Sequence, residues 1–164
     1  MSLGVVPACP VNTDRSAPTP DRLAYSLTLP AALTTPALAR AATRAFLYAH
    51  DLDEMLDPAL QGVSELVATA CQFTYDADVY VSLRYRDDAL RVTTYDHHPT
   101  HINRHLVAAC DSRRRAALRL LACVARACGG DWGYGPSREA GGGTRMWLVL
   151  PRHSGAAYGR KRSA

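Results

Sequence analysis

Two groups of side chains in this sequence have the types and spacing to do chemistry. Glu65 and Thr69 stand four residues apart, in a stretch where Val63, Leu66, Val67 and Ala70 recur at the spacing of an apolar helical stripe. On such a helix the two polar residues stack on one side, beside the stripe and not opposite it, so the carboxylate can look into a pocket. The second group is His97, His98, His101 and His105, with Asp96 beside them and Cys110 further on. A helix beginning near Thr100 would put His101 and His105 on one face, and two histidines four apart can chelate Zn²⁺ or another borderline metal. On that reading the group is a metal-sensing or structural site; the other reading is a polar lid loop. No Glu follows His101 in the His-Glu-x-x-His pattern, which argues against a zinc hydrolase.

The elements that must position these groups can be traced along the chain. Residues 1–20 carry four prolines among polar residues without a period, which predicts a disordered leader. Leu23, Tyr25, Leu27 and Leu29 then alternate with small and polar residues, predicting a strand closed by Pro30. Thr34 or Thr35 can cap a helix with Pro36 at its first position, continuing over 37–49 with Leu38, Ala41, Ala42, Phe46 and Leu47 inward. Residues 51–58 form a polar connection, and Asp57-Pro58 starts the helix that carries Glu65. Strands are expected at 78–85 and 90–95, joined as an antiparallel hairpin by Arg86-Asp87-Asp88-Ala89. After a loop at 96–103, a third helix over 113–127 turns Leu118, Leu121, Ala122 and Ala125 inward and stops at Gly129-Gly130. Strands at 132–134 and 145–150, around a glycine-rich turn, complete the series. The prediction is an α+β two-layer sandwich: a mixed, mostly antiparallel sheet covered on one face by about three helices.

Composition narrows the function classes. The chain has 164 residues, with 19 basic and 15 acidic. Four of the basic ones, Arg152, Arg160, Lys161 and Arg162, lie beyond Pro151 where there is no acid, so the body carries fifteen of each sign. It has no net basic field to steer it to nucleic acid, and residues 152–164 are expected as a basic, disordered, solvated tail. Five cysteines (Cys9, Cys71, Cys110, Cys123 and Cys128) are odd in number and form no Cys-x-x-Cys pair, which points to a reducing cytosol. Cys71 and Cys123 sit in apolar helical patterns, where free cysteine packs as a small hydrophobe. No window reaches the length of a membrane span, so the expectation is a cytoplasmic protein without a membrane partner. Eighteen of the nineteen basic residues are Arg, pointing to a GC-rich bacterial coding background.

Strand, helix, helix with Ser-Glu-Leu-Val, hairpin ending in Asp96, loop, helix, then a hairpin leading through Gly-Gly-Thr to Trp147: this order resembles the GHKL superfamily of gyrase, chaperone, histidine-kinase and mismatch-repair ATPases. More narrowly, it is similar to the small stand-alone relatives of bacterial anti-sigma-factor serine kinases, over about residues 22–151. The resemblance implies the Bergerat-type sandwich and an ATP or ADP site. It makes Glu65 the catalytic base and puts Thr69 where an Asn would hold Mg²⁺. Asp96 would accept the adenine amino group, helped by Gly143-Thr144. A Gly-x-Gly phosphate cradle is implied just before the third helix, but Arg115 and Ala117 stand at those positions, where side chains obstruct close backbone approach. Arg113, Arg114 and Arg115 could offer charge to a phosphate, yet cations oppose the helix dipole there, so a solvated face is expected. A Thr hydroxyl is also a shorter ligand than an Asn carbonyl, which argues against Mg²⁺.

Three functions follow as expectations. The first is a regulatory protein with impaired or absent ATP hydrolysis that binds a transcription regulator, a sigma factor or an anti-anti-sigma-type protein, and pairs as a homodimer as relatives do. The second is an active ATP-dependent serine/threonine kinase using Glu65, Asp96 and Thr144. The third is a metal-responsive module built on His97, His98, His101 and His105. The first is preferred because two phosphate-side elements depart together while the apolar patterning of every helix and strand is intact.

Overall fold

The computed structural model describes Cys9, Val11, residues 13–139 and residues 141–159. At the middle of its sheet lies the expected hairpin, β2 (Asp78–Arg86) and β3 (Ala89–Asp96). Asp87 and Asp88 make the two-residue turn, both in the left-handed region with φ of 53° and 55°. Short acidic side chains tolerate that region better than most, and such a turn matches the twist of paired strands. β1 (Ala24–Pro30) pairs with β2 on one side, and β5 (Thr144–Pro151) with β3 on the other. β4 (Asp131–Pro136) forms the far edge, giving the order β1-β2-β3-β5-β4. Every neighbouring pair is antiparallel, so the expected mixed sheet is corrected to an antiparallel one.

Alternation along the strands puts Val79, Val81, Leu83, Leu90, Val92, Met146, Leu148 and Leu150 on one face, each without solvent exposure. The helices cover that face, and each such side chain contributes about 1.5–3 kcal/mol through its burial. α2 (Leu56–Phe73) lies centrally, with Val63, Leu66, Val67 and Ala70 buried as its stripe requires. Gly62 lets α2 approach the sheet, since a Cβ there would come within 2.1 Å of the Leu148 side chain. α1 (Thr35–Ala49) packs beside α2, and its buried residues are Thr35, Ala39, Thr43 and Leu47. Leu38 and Ala41, expected inward, face solvent, because the helix is turned so that the face carrying Thr35, Ala39, Thr43 and Leu47 is the covered one.

The expected third helix is two: α3 (Arg104–Ala117) and α4 (Arg119–Ala127), bent at Leu118. The bend carries no Pro or Gly; it lets Leu118 and Leu121 reach the core while α3 stays peripheral, burying Arg114 alone among its fourteen residues. Asn103 caps α3, its side chain accepting from the His105 amide at 2.9 Å.

The chain also departs from expectation at its ends. Arg152–Ala156, expected in a disordered tail, form helix α5, where Arg152 donates to Glu54 at 2.7 Å and the Ser154 hydroxyl to the Cys128 carbonyl. Tyr158 donates to Gln61 at 2.8 Å. The remainder of that tail, 160–164, lies outside the described residues, as do residues 1–8, 10 and 12 of the expected leader. Thr19, within that leader, has its carbonyl 2.7 Å from His50 Nδ1. A carbonyl only accepts, so that nitrogen carries the hydrogen, and Nε2 lies 2.9 Å from the Tyr25 hydroxyl. All five cysteines are free, and Cys123 is exposed where a packed side chain was expected. Among the described residues no helix is long and apolar enough to cross a membrane.

Candidate functional site

β3 ends on Asp96, and β5 begins on Thr144 directly opposite it in the ladder. Alternation turns Asp96 toward the helix layer, where its carboxylate is fully buried. A buried carboxylate must be compensated. Oδ1 accepts from the backbone amides of His98 at 3.0 Å and Thr144 at 3.1 Å. Oδ2 accepts from Arg114 Nη1 at 2.6 Å, and the Arg114 side chain is only 3% exposed. The same guanidinium donates through Nη2 to the Thr144 hydroxyl at 3.2 Å and lies 3.3 Å from the Met146 sulfur. Its Cζ sits over the Phe73 ring, 3.9 Å from the centroid, with the Tyr134 ring further off at 5.9 Å. A cation placed over an aromatic ring and bonded to a carboxylate and a hydroxyl is an arginine engaged through both its charge and its donors.

Gly143 makes this arrangement sterically possible. Its φ is 84°, and a Cβ there would lie 1.9 Å from the Asp96 carbonyl oxygen. Only glycine meets both conditions, and the approach brings the Thr144 amide to the carboxylate.

The structure therefore brings together Asp96, Gly143 and Thr144, and adds Arg114, which was expected on a solvated face. That expectation holds for Arg113 and Arg115, both exposed, and is corrected for Arg114. Its signal was present in the sequence: Arg114 lies on the same stripe as Leu118 and Leu121, at four- and seven-residue spacing. Thr69 is buried on α2, one turn before Phe73. Glu65 is a further turn away, about 12 Å along the axis from Phe73 at 1.5 Å per residue. Half-buried and without a hydrogen-bonding partner among the described residues, its carboxyl is pushed above the ordinary range by burial. Ala117 and Arg115 occupy the last turn of α3, where the Arg115 side chain donates to the Tyr134 hydroxyl at 2.9 Å. Helix thus stands where the resemblance implied a phosphate loop.

The histidines are arranged differently from the sequence expectation. Because α3 starts after the Asn103 cap, His101 is in the loop and exposed His105 in the first turn, so they do not form a helical pair. Instead His98 Nε2 lies 3.0 Å from His101 Nε2 and 3.2 Å from Cys110 Sγ. The His98 ring also packs edge-on against Phe73, centroids 5.2 Å apart. Burial pushes the His98 imidazole below its ordinary value, with Asp96 pulling the other way. His97 points away from this cluster and lines, with Arg84, Arg91 and Arg145, a basin of about 640 Å³. A second cavity, about 380 Å³, is bounded by His98, His101, Cys110, Asp111, Tyr134 and Thr144.

No protein-family model matches this chain, and no curated protein matches it either.

Proposed function

We propose that this chain is a regulatory protein that acts by protein–protein binding in bacterial transcription, sigma-factor or developmental control. On this reading it uses a histidine-kinase-like ATPase fold whose ATP hydrolysis is impaired or absent. The observation that carries the reading is Arg114 on Asp96 and Thr144, the pair to which the resemblance assigns adenine. Its guanidinium offers what a base would offer there: a planar group over Phe73, an N–H for the carboxylate and another for the Thr144 hydroxyl. An incoming adenine has to separate a buried cation from a buried anion before it binds, and removing one partner of such a pair costs about 3–5 kcal/mol. Thr69 for Asn, and helix in place of a glycine loop at Arg115 and Ala117, weaken the phosphate end in the same direction. A protein partner fits α3, which leaves Leu106 and Val107 exposed, with Ile102 just before it.

The test is calorimetric titration of the folded chain with ATP and ADP, each with and without Mg²⁺. The expected outcome is no binding by the parent chain. Mg²⁺-dependent ATP binding, with phosphorylation of a protein serine that Glu65→Gln abolishes, would overturn this reading in favour of an active kinase.

A further inference from the structure

Two loop histidines and one helical thiol converge beside the Arg114 pair, and nothing in the proposed function uses them. His98 and His101 come from the segment between β3 and α3, and Cys110 from the second turn of α3. Their ligand atoms all lie within 4.8 Å of one another, and His98 Nε2 is the common neighbour of the other two, at 3.0 and 3.2 Å. Around a tetrahedral Zn²⁺, with bonds of about 2.0 Å to nitrogen and 2.3 Å to sulfur, ligand atoms stand roughly 3.3–3.6 Å apart. Opening the two short separations by a few tenths of an ångström, with His101 and Cys110, already within 4.8 Å of each other, settling to the same span, makes room for the ion. Two imidazoles and a thiolate form a borderline-soft donor set that suits Zn²⁺ and not Mg²⁺ or Ca²⁺.

We propose that His98, His101 and Cys110 bind one Zn²⁺, which clamps the loop after β3 onto α3. Three protein ligands leave one tetrahedral position, and the cavity of about 380 Å³ that all three line gives water access to it. The clamp is placed to act on the Arg114 pair from both sides. The His98 backbone amide donates to Asp96, and Cys110 stands one helical turn before Arg114 on the same face of α3. Fixing His98 to Cys110 thus holds the anion and the cation together. His97 and His105, counted with this group on sequence spacing, are not part of the set: the first lines the other cavity and the second is exposed on α3. The proposal is independent of whether nucleotide binds.

The test is titration of the chelator-treated full chain with Co²⁺, followed by displacement with Zn²⁺. One equivalent should bind with tetrahedral cobalt bands and a thiolate charge-transfer band, and Zn²⁺ should raise the denaturation midpoint. Cys110→Ser should remove the thiolate band, and His98→Ala should weaken binding by more than about tenfold, the range that even an outer partner of a ligand commands. His97→Ala/His105→Ala should bind as the parent does. A six-coordinate spectrum without the thiolate band, or full affinity in Cys110→Ser, would overturn the site; so would loss of binding in His97→Ala/His105→Ala. Should a ligand variant not fold, alkylation of Cys110 in the parent chain decides. Zn²⁺ should slow it, and equal rates with and without Zn²⁺ would show that the three groups only hydrogen-bond to one another.

Discussion

Arg114 acts at the residue scale by neutralising a carboxylate that the strand pattern forces into the interior. Arg114→Met therefore leaves the Asp96 charge buried without its counter-ion, held by two backbone amides alone, and urea unfolding should give a loss of about 3–5 kcal/mol. Adding Asp96→Asn should recover a large part of it, because the cost lies in the orphaned charge and not in the missing contact. Glu65 presents the opposite situation, a half-buried carboxyl with no partner among the described residues and a raised pKa. A folded-state pKa above the unfolded value means the fold holds the proton more tightly. Its contribution to stability is then greatest at low pH and is lost as pH rises through the raised value. Glu65→Gln should raise the thermal midpoint at about pH 7 relative to the parent, and the gain should disappear near pH 3.5, below the ordinary carboxyl range.

Elements decide whether those residues meet. β3 and β5 bring Asp96 opposite Thr144, but the final approach depends on the turn leading into β5 at Gly143. Gly143→Ala combines a left-handed φ with a clash against the Asp96 carbonyl and should cost at least about 1–3 kcal/mol. Gly135→Ala, on the neighbouring β4, meets no atom within 4 Å and should stay within about 0.5 kcal/mol of the parent. Comparing the two by chemical denaturation separates the demand at this one turn from any general intolerance of β4 and β5. α3 contributes by its phase: the bend at Leu118 keeps most of this helix in solvent while turning Cys110 and Arg114 toward the sheet end.

For the whole molecule, the consequence is that the chain closes on itself beyond its last strand. α5 and Tyr158 reach back to Glu54, Gln61 and Cys128, binding the segment after β5 to α2, to the turn just before it and to the end of α4. Truncation after Pro151 should therefore lower unfolding free energy by about 3 kcal/mol. The Ser154 and Tyr158 hydroxyl bonds and the Arg152 amide bond to the Asp88 carbonyl contribute about 1 kcal/mol each, and the partly exposed Arg152 side-chain contacts to Glu54 and the Asp51 carbonyl add little. A truncated chain as stable as the parent would return this segment to the solvated tail expected from its charge.

Much of this architecture was legible in local pattern. Alternation at Val79, Val81 and Leu83, the stripe through Val63, Leu66, Val67 and Ala70, and the Asp87-Asp88 turn each depend on neighbours within a few residues, so the sequence alone determines the hairpin and the central helix. Asp96, Gly143 and Thr144 were also legible as a group, through a resemblance in motif order. Only the tertiary structure decided what meets them. Arg113, Arg114 and Arg115 have the same side chain, and which one is buried depends on the rotation of α3 about its axis, set by the packing of Leu118 and Leu121 after the bend. His101 and His105 have the spacing of a helical pair, but Asn103 starts the helix between them, and the groups that meet are His98, His101 and Cys110. The inward face of α1 was likewise chosen by its seat on α2. Local spacing fixes which residues share a face of an element; which face is covered, and by what, depends on packing between segments far apart in the chain.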